Sequence, residues 1–173
     1  MDWTRLGRVV ITGHRDHTSA VCSDLQVDAV PLAGPAAVAH FLWGDDDPGN
    51  GAHPRDVTAQ SPLPLPGGYR VSYLRLAPGS QTDYHTFIRD TFGNNADQQH
   101  PGFHRTPTVD ISVVVQGTLR LELDDGTVDL EAGAVVVQNG TNHRWSNVGD
   151  DEVVLATVML GTPASAPPVS AQG

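Results

Sequence analysis

Two histidines in this sequence are set apart by their neighbours. His104 opens the stretch His104-Arg105-Thr106-Pro107-Thr108-Val109-Asp110-Ile111-Ser112. Side chains two residues apart in a strand share a face, so His104, Thr106, Thr108, Asp110 and Ser112 point one way if the stretch is extended. The alternate positions Pro107, Val109, Ile111, Val113 and Val115 read as ordinary core. A polar row is costly to bury without partners, so it calls for a ligand or a network. Beyond the Asn139-Gly140 turn, His143 and Trp145 share a second face. Neutral imidazoles plus one carboxylate, with positions left open, are what a divalent metal needs. The row therefore assigns His104, Asp110 and His143 to the metal, and Thr106 and Thr108 to the substrate. Trp145 is either a platform for a planar substrate or core filling.

Tyr84, His85 and His100 fall in the irregular stretch before His104. Of these, His100 and Tyr84 are the candidates for moving protons, and His100 lies nearer the row. Other residues take plainer readings. His14, His17, His40 and His53 sit in or beside turns and strand ends, and Arg105 and Arg144 have the opposite parity to the ligands. Cys22 is the one cysteine, which excludes an intrachain disulfide, and no nucleophile signature surrounds it.

The elements that must position these residues are short strands. Arg8–Thr12 and Ala20–Cys22 read as strands around a polar turn at Gly13–Thr18, followed by strands at Ala36–Trp43 and Tyr69–Leu76. The Pro-rich stretch Gly44–Gly68 reads as a surface loop, since Pro cannot donate to a ladder. Ser80–Gly102 has no clear period and reads as a lid-like loop with a short helical turn. From Thr108 onward the pattern is clearest. Strands are expected at Ile111–Val115, Thr118–Leu123, Ala134–Gln138, Arg144–Ser146 and Glu152–Met159. Asp124-Asp125-Gly126 is expected to be a hairpin turn with Gly126 at positive φ. Close, regular turns among short strands mean an all-β sandwich or barrel.

Length and charge narrow the classes. The 173 residues suit one domain with a real core. A net charge of -10 with ten cationic residues, all Arg, argues against nucleic acid and anionic membranes as partners. No signal peptide or membrane-length apolar run is evident, which makes a cytoplasmic protein the expectation.

Two motifs carry a resemblance to the cupin superfamily. Its first motif is a His-x-His pair, a Glu a few residues on, then six residues and a Gly. His104 matches the first His, Asp110 the Glu and Gly117 the Gly. Thr106 stands where the second His would be, leaving three protein ligands. The second motif matches through Gly133, Ala134–Val137, Gln138-Asn139-Gly140, His143 and Asn147. Residues 103–110 also look like a subgroup of small bacterial cupins encoded beside polyketide and other natural-product enzymes. The resemblance implies a cupin-type antiparallel β-barrel or jelly roll over residues 1–160, with extra N-terminal strands, while the Pro/Ala/Ser-rich composition of 161–173 reads as a disordered tail. It further implies one divalent transition metal (Fe, Zn, Mn or Ni) and a homodimer. The activity implied is a metal-dependent lyase, cyclase or isomerase acting on a small molecule bearing a carbonyl or carboxylate. An Fe(II) oxygenase using the same ligands, or a metal-free binding cupin, are the alternatives.

Overall fold

The computed structural model describes residues 6–33, 36–48, 61–79, 81–92 and 95–163, with the backbone alone at 81–84 and 91. The strands are β1 (Arg8–Arg15), β2 (Thr18–Gln26), β3 (Val30–Pro31), β4 (Ala37–Asp45), β5 (Tyr69–Leu76), β6 (Thr108–Gln116), β7 (Thr118–Leu123), β8 (Gly126–Glu131), β9 (Val135–Gln138), β10 (His143–Asn147) and β11 (Val153–Gly161). One helix, α1 (Gln81–Phe92), stands between β5 and β6. A six-stranded sheet runs β3-β4-β5-β11-β6-β9, faced by a three-stranded sheet β10-β7-β8, while β1 and β2 form a separate hairpin. Pairing is antiparallel throughout. This is the barrel expected from the sequence.

Leu119, Leu121 and Trp145 of the small sheet meet Ala37, Leu76, Val114, Val153 and Leu155 of the large one, and Ile88 of α1 joins them. Alternation sets this core: Leu119 and Leu121 are buried at 0% and 5% exposure, with intermediate neighbours between. The motif residue Asn147 is also structural. Its Nδ2 donates to Leu76 O and Asp151 O, both at 2.9 Å, and its Oδ1 accepts from Gly149 N at 3.0 Å.

Four expectations are corrected. First, the face of β6 read as core is the outer one. Ile111 and Val115 are 41% and 39% exposed, whereas Thr108, Asp110, Ser112 and Val114 are buried. The polar row can face inward because it lines a cavity and pairs with itself. Second, the expected loop at 80–102 contains the twelve-residue α1. Ile88 and Phe92, four apart, reach the core from one helix face, so tertiary packing holds a helix that composition alone does not announce. Third, Leu123 pairs with Gly126, so Asp124 and Asp125 form the two-residue turn, and Gly126 is not at positive φ. Fourth, β11 runs on to Gly161, and Thr162 N donates to Pro107 O at 2.9 Å. The first hairpin also turns more tightly than expected. Asp16 and His17 sit at φ 49° and 62°, the left-handed pair that a two-residue hairpin favours. Residues 49–60 of the expected loop and 164–173 of the expected tail lie outside the described residues.

Candidate active site

His104 and His143 come from distant parts of the chain and are fixed by main-chain contacts. His104 precedes β6 in an isolated bridge to the first residue of β10. His104 N donates to His143 O at 3.0 Å, and His143 N donates to His104 O at 3.1 Å. The ring centroids are 4.4 Å apart. His104 Nδ1 lies 3.1 Å from Gly102 O, and His143 Nδ1 lies 3.0 Å from Thr141 O. A carbonyl only accepts, so each Nδ1 carries the proton and each Nε2 is left with its lone pair. Phe92 stacks on His104 at 5.0 Å, and Trp145 meets His143 edge-on at 5.3 Å.

The loop that holds Gly102 is braced from two sides. Arg144 donates to both oxygens of Glu122 and to Pro101 O, with its guanidinium 4.9 Å from the Phe103 ring centroid. His85 packs so closely against Gly102 that a Cβ there has no room, and Gly102 takes φ +86°.

These rings open on a cavity of about 110 Å³. Its polar lining is Ser72, Tyr73, His104, Thr106, Asp110, Ser112, His143 and Thr157; the rest is apolar, including Phe41, Leu63, Phe87, Phe92, Trp145 and Met159. Thr108 Oγ1 donates to Thr106 Oγ1 at 2.7 Å, and Ser112 and Thr157 share a bond of 2.9 Å. Asp110 Oδ1 is buried with no hydrogen-bond partner. Burial pushes the Asp110 carboxyl up to about 6. Burial, aided by the neighbouring His143, pushes His104 down to about 3, and burial alone takes His143 down to about 4. Near neutral pH the wall therefore holds two neutral imidazoles and a carboxylate close to its titration range.

The structure thus brings His104, Thr106, Asp110, His143 and Trp145 to one cavity, with Thr108 bonded to Thr106 behind them. It does not bring His100. That side chain is 68% exposed and its Nδ1 lies 3.1 Å from Asp97 Oδ2, because Asp97 caps the turn at Gln99 and His100. Tyr84 lies in α1, and its side chain falls outside the described residues. Sequence reasoning missed Phe92 and Thr157. The Ile88/Phe92 spacing was the available signal for the first; Thr157 offers none without the register that pairs it with Ser112.

The expected metal centre is only partly assembled. Two imidazoles present Nε2 to the cavity, but among the described residues no three His, Cys, Asp or Glu side chains converge as one ion requires. Asp110 stands apart from the pair, so the residues as arranged do not fit a three-ligand centre.

Residues 95–159, the segment that carries both histidines and Asp110, match the Cupin_2 family, described as a cupin domain. The cupin domain of Cnp3 from Schizosaccharomyces pombe superposes over 89% of this chain and 87% of its own, with TM-score 0.51 at 9% identity, a likeness of fold alone. Among curated proteins, the chain is 38% identical over 87 residues to the oryzines biosynthesis cluster protein J of Aspergillus oryzae, covering 50% of this chain and 38% of that one. It is 49% identical over 86 residues to the phomopsin biosynthesis cluster protein C' of Diaporthe leptostromiformis, covering 49% and 35%. The chain thus spans little more than a third of the length of these two. A cupin-domain-containing oxidoreductase, fogC of Aspergillus ruber, is 26% identical over 143 residues, covering 68% of each. No helix among the described residues is long and apolar enough to cross a membrane.

Proposed function

We propose that this cupin is a tailoring enzyme of natural-product metabolism. It would take up a small apolar molecule with an oxygen-bearing head group and move a proton on it, in a lyase, cyclase or isomerase step. The observation that carries this reading is the polar wall of an otherwise apolar cavity, where Asp110 Oδ1 and both imidazole Nε2 atoms lack partners. A carboxyl near the working pH gives and takes protons with little driving force lost. Asp110 is the proton carrier, the two imidazoles orient the head group, and Phe92 and Trp145 wall it against water. The relatives from biosynthesis clusters support the metabolic setting. The test is hydrogen exchange in deuterated water on a panel of enolisable aromatic ketones. Deuterium should enter the carbon beside the carbonyl, and Asp110→Asn should abolish it; equal exchange by the variant refutes the assignment.

A second reading keeps a metal held by the two imidazoles alone. The anchored Nδ1 atoms leave both Nε2 free, as ligation demands. Elemental analysis of protein purified without chelators decides it: about one transition metal per chain, lost in His143→Ala, would support the ion. Two copies are also proposed to pair through the outer face of the large sheet, where Ile111, Val115, Val135, Val137 and Leu160 are exposed.

A further inference from the structure

The hydrogen-bond inventory of the cavity wall is unequal in strength. Its strongest unmet groups are all acceptors: the two Nε2 lone pairs and the buried Oδ1 of Asp110. The donors are neutral hydroxyls: Thr108 bonds Thr106 and Ser112 shares a bond with Thr157, each pair keeping one O–H, and Ser72 and Tyr73 add theirs. Trp145 adds a neutral indole N–H. No Arg lies among the described lining residues, and the chain has no Lys. Two arginines of the described barrel are occupied, Arg70 by Asp46, Ser61 O and Tyr69 O, and Arg144 by Glu122. A carboxylate or phosphate ligand would meet the Asp110 carboxylate in an apolar space with no Arg or Lys among its described lining residues to receive it, which is costly.

We propose that the cavity selects an uncharged, flat, largely apolar molecule that brings a phenolic or enolic hydroxyl, donated to Asp110, and that it rejects carboxylates. This rests on the cavity being the reaction site. An acidic hydroxyl suits the wall because a bond to a carboxylate strengthens as the donor becomes more acidic. Flatness follows from Phe92 and Trp145, which frame the two rings. Only the head group needs full enclosure, since about 110 Å³ is small beside the several hundred of a typical ligand pocket.

The test is calorimetric titration of the chelator-treated full chain at about pH 8, where a carboxyl of this kind is ionised. The probes are 2-naphthol, its methyl ether and 2-naphthoate. The naphthol should bind about 10- to 100-fold more tightly than either, the range expected when one hydrogen bond to a charged group is lost. Equal binding of the ether would overturn the donor requirement, and tighter binding of naphthoate would overturn the exclusion of anions. Either result leaves the cavity as the binding site. Binding of none would remove that parent reading as well. In Asp110→Asn the amide supplies its own donor, so the preference for the naphthol over its ether should collapse to about threefold or less. An unchanged preference in a folded variant would place the hydroxyl elsewhere. Should the variant not fold, the three wild-type titrations still decide.

Discussion

His104 and His143 are joined twice, by a reciprocal pair of main-chain hydrogen bonds and by rings 4.4 Å apart. The backbone bridge sets ring spacing before any ligand arrives, and the carbonyls of Gly102 and Thr141 set which nitrogen faces inward. Preorganisation of this kind should be visible in the free protein. Nitrogen-15 spectra are expected to show both rings neutral and protonated on Nδ1 down to about pH 5, where an ordinary histidine is charged. Either ring titrating near 6.5 would mean that it is solvated and that the cavity is wet.

Acid should destabilise the fold through these same groups, with Asp110 opposing. His104 and His143 fold with values of about 3 and about 4, below the ordinary 6.5, so the unfolded chain binds two protons near pH 5 that the native chain refuses. Their stabilisation is present above about 6.5 and is lost as pH falls towards 4. Asp110 at about 6 lies above the ordinary 3.8. Its contribution is present below about 3.8 and is lost as pH rises through 6. Asp110→Asn removes that opposing proton. The unfolding free energy of the variant should therefore fall more steeply with acid between pH ~4 and ~6, by roughly 1.4 kcal/mol per pH unit. Denaturant titrations across this range measure the slopes, and parallel slopes would show that Asp110 is an ordinary carboxylate.

The motif glycine Gly117 is held by contact as well as by conformation. It sits at φ +78°, and a Cβ there would lie 2.8 Å from Glu152 O and 2.9 Å from Val153 Cγ2. Gly133 has φ +95° with nothing within 4 Å of its Cβ position. Gly133→Ala should therefore cost only the left-handed strain, about 1–2 kcal/mol. Gly117→Ala should cost that plus a backbone clash, about 3 kcal/mol or more. Thermal melts compare the two, and equal losses would mean that β11 yields at Val153.

The motifs at 104–117 and 133–147 were legible because they are local: a period-two row, two turns and a histidine at fixed spacing. Direction was not. The sequence shows that Asp110 and Ile111 face opposite ways, but only the closed barrel decides that the carboxylate goes in. A polar residue goes inside when a cavity or a partner such as Thr157 awaits it, and both depend on pairing across residues far apart in the chain. His100 failed for a related reason. Proximity to His104 in sequence means little where a capped turn at Asp97 swings the side chain to solvent. The helix α1 escaped notice because its packing residues are few and its partners lie on the barrel.

The outward apolar face of β6 makes the last prediction. The large sheet ends in β3 on one side and β9 on the other, and the small sheet ends in β8 and in β10, whose first residue is bridged to His104. Edge strands are usually protected by brevity, proline or charge. β3 is two residues long and contains Pro31, while β8 carries Asp129, paired with Arg120, and Glu131. β9 is Val135-Val136-Val137-Gln138, twice as long as β3, and carries neither proline nor charge. Val135 and Val137 are 60% and 58% exposed and pair with Val113 and Ile111, so the apolar surface continues across β6. An uncharged edge is self-complementary, since antiparallel pairing about a two-fold axis sets valine against valine. It also gives a chain of net charge -10 a place to meet its copy without facing like charge. Sedimentation should find a dimer for the wild type. Val137→Lys should give a monomer by placing like charges across the axis, whereas Val128→Lys on the charged β8 edge should leave the dimer intact. A wild-type monomer at micromolar concentration would refute the pairing, as would a dimer indifferent to Val137→Lys.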